Sequence, residues 1–98
     1  MINGKQRSYL KKMANKLNPL LQIGKDGLSD NFIEQLDKTL EDHELVKINI
    51  LNNNYMTPKE VANELAEKLN ADFVQAIGKK LVLYRPNSEE AVIKLPRA

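Results

Sequence analysis

The chain contains no cysteine, and only one of its 98 residues is a histidine. The lack of thiols excludes disulfide bridges, thiolate zinc sites and cysteine nucleophiles. His43 lies near the end of a predicted helix, where an imidazole more often interacts with the helix dipole than takes part in catalysis. We therefore expect a protein that is not an enzyme and that uses no metal or cofactor. The absence of cysteine also fits a reducing cytoplasm.

Long hydrophobic stretches are lacking as well. No apolar run approaches the roughly 20 residues that span a bilayer, and the polar, basic residues 1–5 do not resemble a secretion signal. Ninety-eight residues suit one domain with one core between a sheet and a few helices. The sequence therefore predicts a monomeric, cytoplasmic, single-domain protein over 1–98 with no membrane partner. We expect the folded part of this domain to cover about residues 2–86, and residues 87–98 to form a loose C-terminal tail.

The charged residues are segregated, although the net charge is only +2. Residues 1–27 carry six basic side chains and one acidic side chain, for a net charge of +5. Residues 28–44 carry one basic and six acidic side chains, for a net charge of −5. This pattern indicates a positive face for a polyanion and a negative face that points elsewhere. Solvated helix faces without a partner would give the same pattern.

Hydrophobic periodicity predicts alternating helices and strands. Helices are predicted over about 5–17, from the Ser29 cap to near His43, and from a capping box at Thr57. The inward stripes of the first two helices are Leu10, Met13, Ala14 and Leu17, and then Ile33, Leu36 and Leu40. Strands are predicted at 20–23, 45–51, 73–77 and 81–84, with a polar turn at 52–54 and a hairpin connection at 78–80. The order α-β-α-β-α-β-β predicts an α/β fold with a four-stranded mixed sheet packed by helices.

A glycine loop lies between the first predicted strand and the second predicted helix. Its residues are Gly24, Lys25, Asp26 and Gly27. Two glycines allow the backbone to turn tightly and to approach a bulky group, and the free N–H groups at the start of a helix attract phosphate. Such a loop alone is most often a plain turn. Its position beside the positively charged segment favours a phosphate contact.

The first predicted helix presents its basic side chains on one side. Lys5, Lys12 and Lys16 share a face at the helical period of 100° per residue, and Arg7 and Lys11 flank it. Tyr9 sits beside this face, where it either stacks on a base or packs at the edge of the core. Lys79, Lys80 and Arg85 extend the positive patch if the predicted hairpin lies nearby. Otherwise they form an ordinary charged hairpin tip.

Four separated motifs follow one another in a characteristic order. They are Lys5-Gln6-Arg7, Ile23-Gly24-Lys25-Asp26-Gly27-Leu28, Ile77-Gly78-Lys79 and Leu83-Tyr84-Arg85. Together they resemble the CRM domain, the chloroplast RNA splicing and ribosome maturation module, and more closely its stand-alone bacterial YhbY form. The resemblance implies a fold similar to the C-terminal domain of translation initiation factor 3. It also implies RNA binding and association with precursors of the large ribosomal subunit.

The residues and the resemblance together predict an RNA-binding protein that assists assembly of the large (50S) subunit, with precursor rRNA and possible ribosomal proteins as partners. The predicted RNA-binding residues are Gly24, Lys25, Gly27, Lys5, Arg7, Lys11, Lys12, Lys16, Lys79, Lys80 and Arg85. Asp26 departs from the family pattern, since an acid beside a phosphate is unfavourable, and it is not expected to be a contact. The alternative is a protein-binding module that docks on a ribosomal protein through its acidic second helix.

Overall fold

The computed structural model describes residues 2–24, 27–51 and 57–96. Lys25, Asp26 and the predicted polar turn at 52–54 lie outside these ranges. The elements are α1 (Gly4–Ala14), β1 (Leu21–Ile23), α2 (Asp30–His43), β2 (Leu45–Ile50), α3 (Pro58–Leu69), β3 (Asp72–Ile77) and β4 (Lys80–Tyr84). The predicted order of helices and strands is therefore confirmed.

The four strands form one mixed sheet in the order β1-β2-β4-β3. Strand β1 is parallel to β2, whereas β4 is antiparallel to both of its neighbours. At one end of the sheet, two backbone hydrogen bonds link the end of β2 to its neighbours. Leu51 N–H donates to Ile23 O at the end of β1 at 2.9 Å, and Ile50 N–H donates to Lys79 O in the β3–β4 connection at 2.6 Å. We call this the loop end, and the opposite end, where β4 finishes at Tyr84, the tail end.

Helices cover both faces of the sheet, so the molecule has three layers. One face packs against α2 and α3 and contributes Ile23, Val46, Ile48, Ile50, Leu81 and Leu83 to the larger core cluster. The other face packs against α1 through a smaller cluster of Ile2, Leu10, Ala14, Leu45, Val74, Val82 and Tyr84. Strand β4 is buried at four consecutive positions, 81–84, as a strand with an apolar layer on each face requires. In β2 the positions that face α2 and α3 are buried, whereas Lys47 and Asn49 on the other face are half-buried.

The helix starts follow from side chains that the sequence analysis singled out. Ser29 Oγ accepts a hydrogen bond from Phe32 N–H at 3.1 Å, as predicted for the cap of α2. The capping box of α3 is also present, since Thr57 and Glu60 exchange hydrogen bonds. The backbone N–H and the hydroxyl of Thr57 hold the pKa of the Glu60 carboxyl below its usual value.

One predicted core position needs correction, and one core residue was not predicted. Helix α1 ends at Ala14, so Leu17 lies in the turn beyond it and is 37% exposed rather than buried. In α2, Phe32 is buried although the predicted stripe did not include it, and the predicted Ile33 packs half-buried against the same core. The end of α1 is instead stabilised by Lys47 of β2, whose Nζ lies 3.3 Å from Ala14 O. The periodicity of α1 alone could not show this contact between distant residues.

Residues 87–96 pack on the domain, and the prediction of a loose tail is therefore wrong for them. Ile93 and Leu95 pack against the smaller core cluster, and Gln6 Nε2 donates to Pro96 O at 3.0 Å. The segment shows no hydrophobic period because much of it is attached to the domain by hydrogen bonds of its backbone groups rather than by a periodic apolar face.

Glu44 is the residue that holds this segment. Its carboxylate, 2% exposed as a residue, accepts backbone N–H groups from Asn87 at 2.8 Å, Ile93 at 2.7 Å and Val92 at 3.0 Å. Burial alone would raise the pKa of this carboxyl, but the three N–H donors outweigh burial and leave the pKa below its usual value. Glu44 also has a positive φ of 65°, where it ends α2.

Candidate nucleic-acid interface

The glycine loop connects the end of β1 to the N-terminal cap of α2. Gly27 N–H donates to Gly24 O at 3.1 Å, and this hydrogen bond draws the two glycines together in a turn. Gly27 has a φ of 64°, a conformation that residues with a Cβ rarely adopt. A cavity of about 190 Å³ lies against this turn and is lined by Gln22, Gly24, Gly27, Ser29 and Asn31, among others. The turn therefore presents backbone and polar groups at the positive end of the α2 dipole.

Gly24 is half-buried, and the space beside its Cα is empty. A Cβ built on Gly24 would meet nothing within 4 Å, so the fold itself does not require a glycine there. Gly27 differs, because its positive φ gives the glycine a conformational role. The two glycines thus differ: Gly27 adopts a conformation that favours glycine, whereas Gly24 leaves open space beside the backbone.

The β3–β4 hairpin lies at the same end of the sheet as the glycine loop. Gly78 has a φ of 60° and begins a two-residue connection that leaves the side chains of Lys79 and Lys80 exposed. Lys79 O accepts the hydrogen bond from Ile50 N–H at the end of β2. The hairpin is therefore joined to β2, which pairs with β1 next to the glycine loop. The expectation that the hairpin lies near the loop agrees with this topology.

A basic groove runs along β3. Arg7 and Lys11 of α1, together with Lys59 at the start of α3, line a groove of about 460 Å³ whose floor is residues 73–77. Arg7 Nε donates to Phe73 O at 3.0 Å, so the guanidinium is held against the edge strand. Sequence reasoning missed Lys59, although it stands in the capping motif, because only the topology brings the start of α3 to this groove.

The remaining cations of the first 17 residues occupy other positions. Lys5 and Lys12 are exposed on α1. Lys16 follows the helix and, with His43 and Lys47, lines a separate cavity of about 490 Å³. Tyr9 is 41% exposed. Lys16 therefore lies in a different cavity from Arg7 and Lys11.

Arg85 is far from the glycine loop along the sheet. It follows Tyr84 at the tail end, and its side chain is only 17% exposed. Its guanidinium contacts Asp37 Oδ1 at 2.8 Å and Leu69 O at 3.0 Å, and it lies 3.7 Å from Glu41 Oε1. The structure does not bring Arg85 together with the other predicted residues, since these contacts fix it between α2 and α3.

The same region involves part of an acidic stripe on α2, whose four members are Asp30, Glu34, Asp37 and Glu41. Besides Asp37, Glu41 takes part, because its Oε2 accepts Ser88 N–H at 3.2 Å and its backbone carbonyl accepts the Asn87 amide at 2.8 Å. Glu34 is exposed and lies 3.6 Å from Lys38, its neighbour one helical turn on. Asp37 thus holds Arg85, and Glu41 holds the start of the C-terminal segment.

Neither a metal cluster nor a membrane-spanning helix occurs in the parts that the structure describes. Among residues 2–24, 27–51 and 57–96, no three histidine or acidic side chains converge on a point suited to a metal ion. Within the same ranges, no helix is both long and apolar enough to cross a bilayer.

Comparisons with known proteins agree with this architecture. The chain is 38% identical over 96 residues to the Bacillus subtilis "Probable RNA-binding protein YqeI", covering 98% of this chain and 100% of that protein. It is also 38% identical over 96 residues to a Haemophilus influenzae protein named "RNA-binding protein", covering 98% and 96% of the two chains. These names describe binding proteins rather than enzymes.

A solved structure has the same fold. The solution structure of SAV1595 from Staphylococcus aureus superimposes with a TM-score of 0.83, at 44% sequence identity, over 98% of this chain and 100% of that one. The CRS1/YhbY (CRM) domain family matches residues 2–85, which is most of the chain and includes the glycine loop, α1 and the β3–β4 hairpin. The protein therefore belongs to the CRS1/YhbY (CRM) domain family, in its stand-alone bacterial form.

Proposed function

We propose that this protein binds RNA through the phosphate backbone at the loop end of its sheet. The observation that carries the proposal is that Gly24, the start of α2 and the hairpin lysines Lys79 and Lys80 all lie at this one end of the sheet. Backbone N–H groups at a helix start and lysine ammonium groups are both ligands of phosphate. The two relatives named as RNA-binding proteins support RNA as the polyanion.

The groove along β3 extends this proposed contact surface. An RNA strand that passes from the loop end across β3 lies within reach of three basic side chains, those of Arg7, Lys11 and Lys59. Arg85 is left out of the surface, because it contacts Asp37 and Leu69 O at the other end of the sheet. Phosphate contacts position an RNA without reading its sequence, so this surface alone confers little sequence preference.

The proposed target is the precursor rRNA of the large ribosomal subunit, which the protein binds as a monomer in the cytoplasm during assembly of that subunit. This target rests on the family and on the chemistry of the surface. Crosslinking in cells, followed by sequencing of the attached RNA, tests it directly. Reads concentrated in precursor 23S rRNA support the proposal, and reads spread over messenger RNA contradict it.

The steric role of Gly24 offers a sharp test of the proposed contact. Gly24→Ala adds one methyl group that the fold accommodates, because nothing lies within 4 Å of it. We expect unchanged thermal stability and an RNA affinity lower by about fivefold, since the methyl group obstructs close approach of a phosphate. Gly4→Ala is the matched control, because its Cβ also meets nothing within 4 Å but lies at the start of α1. Equal RNA affinity in both variants would remove Gly24 from the contact surface.

The alternative, docking of a ribosomal protein on α2, requires a different variant. Reversing charge at Asp37 or Glu41 would break contacts with Arg85 and the C-terminal segment. Glu34→Lys avoids this, since Glu34 is exposed and, within the described residues, forms an ion pair with Lys38 one helical turn on. Loss of ribosome association with RNA affinity retained would favour protein docking, and unchanged association would favour the RNA surface.

A further inference from the structure

One row of side chains crosses the whole sheet at the loop end. Gln22 of β1 pairs with Asn49 of β2, Asn49 pairs with Lys80 of β4, and Lys80 pairs with Ile77 of β3. These four positions alternate with residues that pack against α2 and α3, so their side chains lie on the α1 face. We call them the cross-sheet row.

Helix α1 does not cover the cross-sheet row. The smaller core cluster under α1 uses Leu45, Val74, Val82 and Tyr84, which are nearer the tail end. Within the cross-sheet row, Gln22 and Lys80 are exposed, Asn49 is half-buried, and Ile77 is 64% exposed. On the opposite face at the same end, Ile23, Ile50 and Leu81 are buried. The α1 side of this end is therefore an open surface.

The amides of the cross-sheet row are not used by the fold. Among the residues that the structure describes, neither the Gln22 nor the Asn49 side chain hydrogen-bonds to another group. An isoleucine as exposed as Ile77, placed between a lysine and the basic groove, adds little to stability in this position. Gln22 also lines the cavity of the glycine loop, so the cross-sheet row continues directly from the proposed phosphate contact.

We propose that the cross-sheet row binds two or three unpaired bases of single-stranded RNA. This inference rests on the proposed function, because the glycine loop and the basic groove hold the phosphates of the same strand. Side-chain amides can donate to and accept from base edges, and Ile77 with the Lys80 stem offers apolar area for base faces. With strands about 4.8 Å apart, the row spans about 14 Å, a width that suits the two or three bases that other sheet surfaces bind.

A single strand fits this surface better than a duplex. In an A-form helix the bases are stacked inside, and the deep major groove cannot be read by side chains. The apolar area of Ile77 and the Lys80 stem can meet base faces only where bases are unpaired and unstacked. The cross-sheet row therefore adds a base-dependent component to the binding, which the phosphate contacts alone lack.

The test compares two probes that share a backbone. One is a short single-stranded RNA of mixed sequence, and the other is the same ribose-phosphate chain without bases. We expect the wild-type protein to bind the base-containing probe about tenfold more tightly. The double variant Gln22→Ala/Asn49→Ala should lose most of this preference. Asn49→Ala alone, which leaves the lining of the glycine-loop cavity intact, should lose part of the preference and keep its affinity for the abasic probe. Asn63→Ala, an exposed amide on α3, is the matched control and should behave like wild type.

The outcomes separate this inference from the proposed function. Equal wild-type affinity for both probes, or a preference that survives in the double variant, overturns the role of the cross-sheet row while RNA binding stands. Failure of the wild-type protein to bind either probe overturns the proposed function itself. If the double variant unfolds, Ile77→Ala replaces it, because that side chain is 64% exposed. A base preference in Ile77→Ala equal to wild type would also refute the inference.

Discussion

Replacing Glu44 with glutamine should destabilise the protein and release its C-terminal segment. The carboxylate accepts the backbone N–H groups of Asn87, Val92 and Ile93 at 2.7 to 3.1 Å. Glutamine keeps one acceptor oxygen and turns an NH2 group toward the remaining donors. With about 1 kcal/mol for each neutral hydrogen bond and more for a charged one, we expect a loss of about 2 kcal/mol in free energy of unfolding. The melting temperature should fall by about 8 to 16 °C.

The pH dependence of this effect has a definite sign. Because the folded state holds the pKa of Glu44 below its unfolded value, the ionised carboxylate contributes stability above about pH 4.3, its usual pKa. That contribution disappears as the pH falls through the folded-state pKa. The difference between wild type and Glu44→Gln should therefore be full at pH 7 and shrink below about pH 4.

Urea unfolding at several pH values measures this difference, and limited proteolysis reports release of 87–96. Glu89→Gln is the control, because that side chain is exposed on the same segment. If Glu44→Gln were as stable as wild type at pH 7, or if the difference did not change with pH, the explanation of how the segment is anchored would be incorrect.

Two further predictions separate stability from binding. Arg85→Gln should lower the free energy of unfolding by about 1 to 2 kcal/mol, because it breaks the contacts with Asp37 and Leu69 O. Its RNA affinity, measured by fluorescence anisotropy on the folded protein, should not change. If the affinity fell as much as in Lys80→Gln, Arg85 would have to be part of the RNA contact surface. Ser29→Ala should cost about 1 kcal/mol through loss of the α2 cap. Ser29→Asp should keep the cap but weaken RNA binding by adding a negative charge beside the glycine loop, and unchanged RNA affinity would contradict the loop's role.

Local sequence signals predicted most of the fold. The cap at Ser29 and the Thr57–Glu60 box mark helix starts through contacts within three residues, and the alternation in β2 marks a strand with two different faces. The predictions that were wrong, the burial of Leu17 and the loose tail, concern positions where contacts between distant residues decide the structure. Leu17 is exposed because α1 ends early, and residues 87–96 are packed because one buried carboxylate, that of Glu44, collects their N–H groups.

The sequence alone identified the glycine loop of the candidate site, but it did not identify which basic residues surround that loop. Gly24 and Gly27 stood out because two glycines at this spacing before a helix have a local meaning. A positive charge, by contrast, has no local signature that separates an RNA contact from a structural contact. Only the topology shows that Lys59 lies beside Arg7. In the same way, only the topology shows that Arg85 lies between α2 and α3.

The salt dependence of RNA affinity tests the central claim most directly. Binding of a short single-stranded RNA should weaken steeply as salt rises, with a slope of about −3 in a plot of log affinity against log salt for four or five neutralised phosphates. Lys80→Gln should make that slope shallower by about 0.7, whereas Lys68→Gln, on the last turn of α3, should leave it unchanged. An affinity that does not respond to salt, or a slope that Lys80→Gln leaves intact, would contradict phosphate binding at the loop end of the sheet.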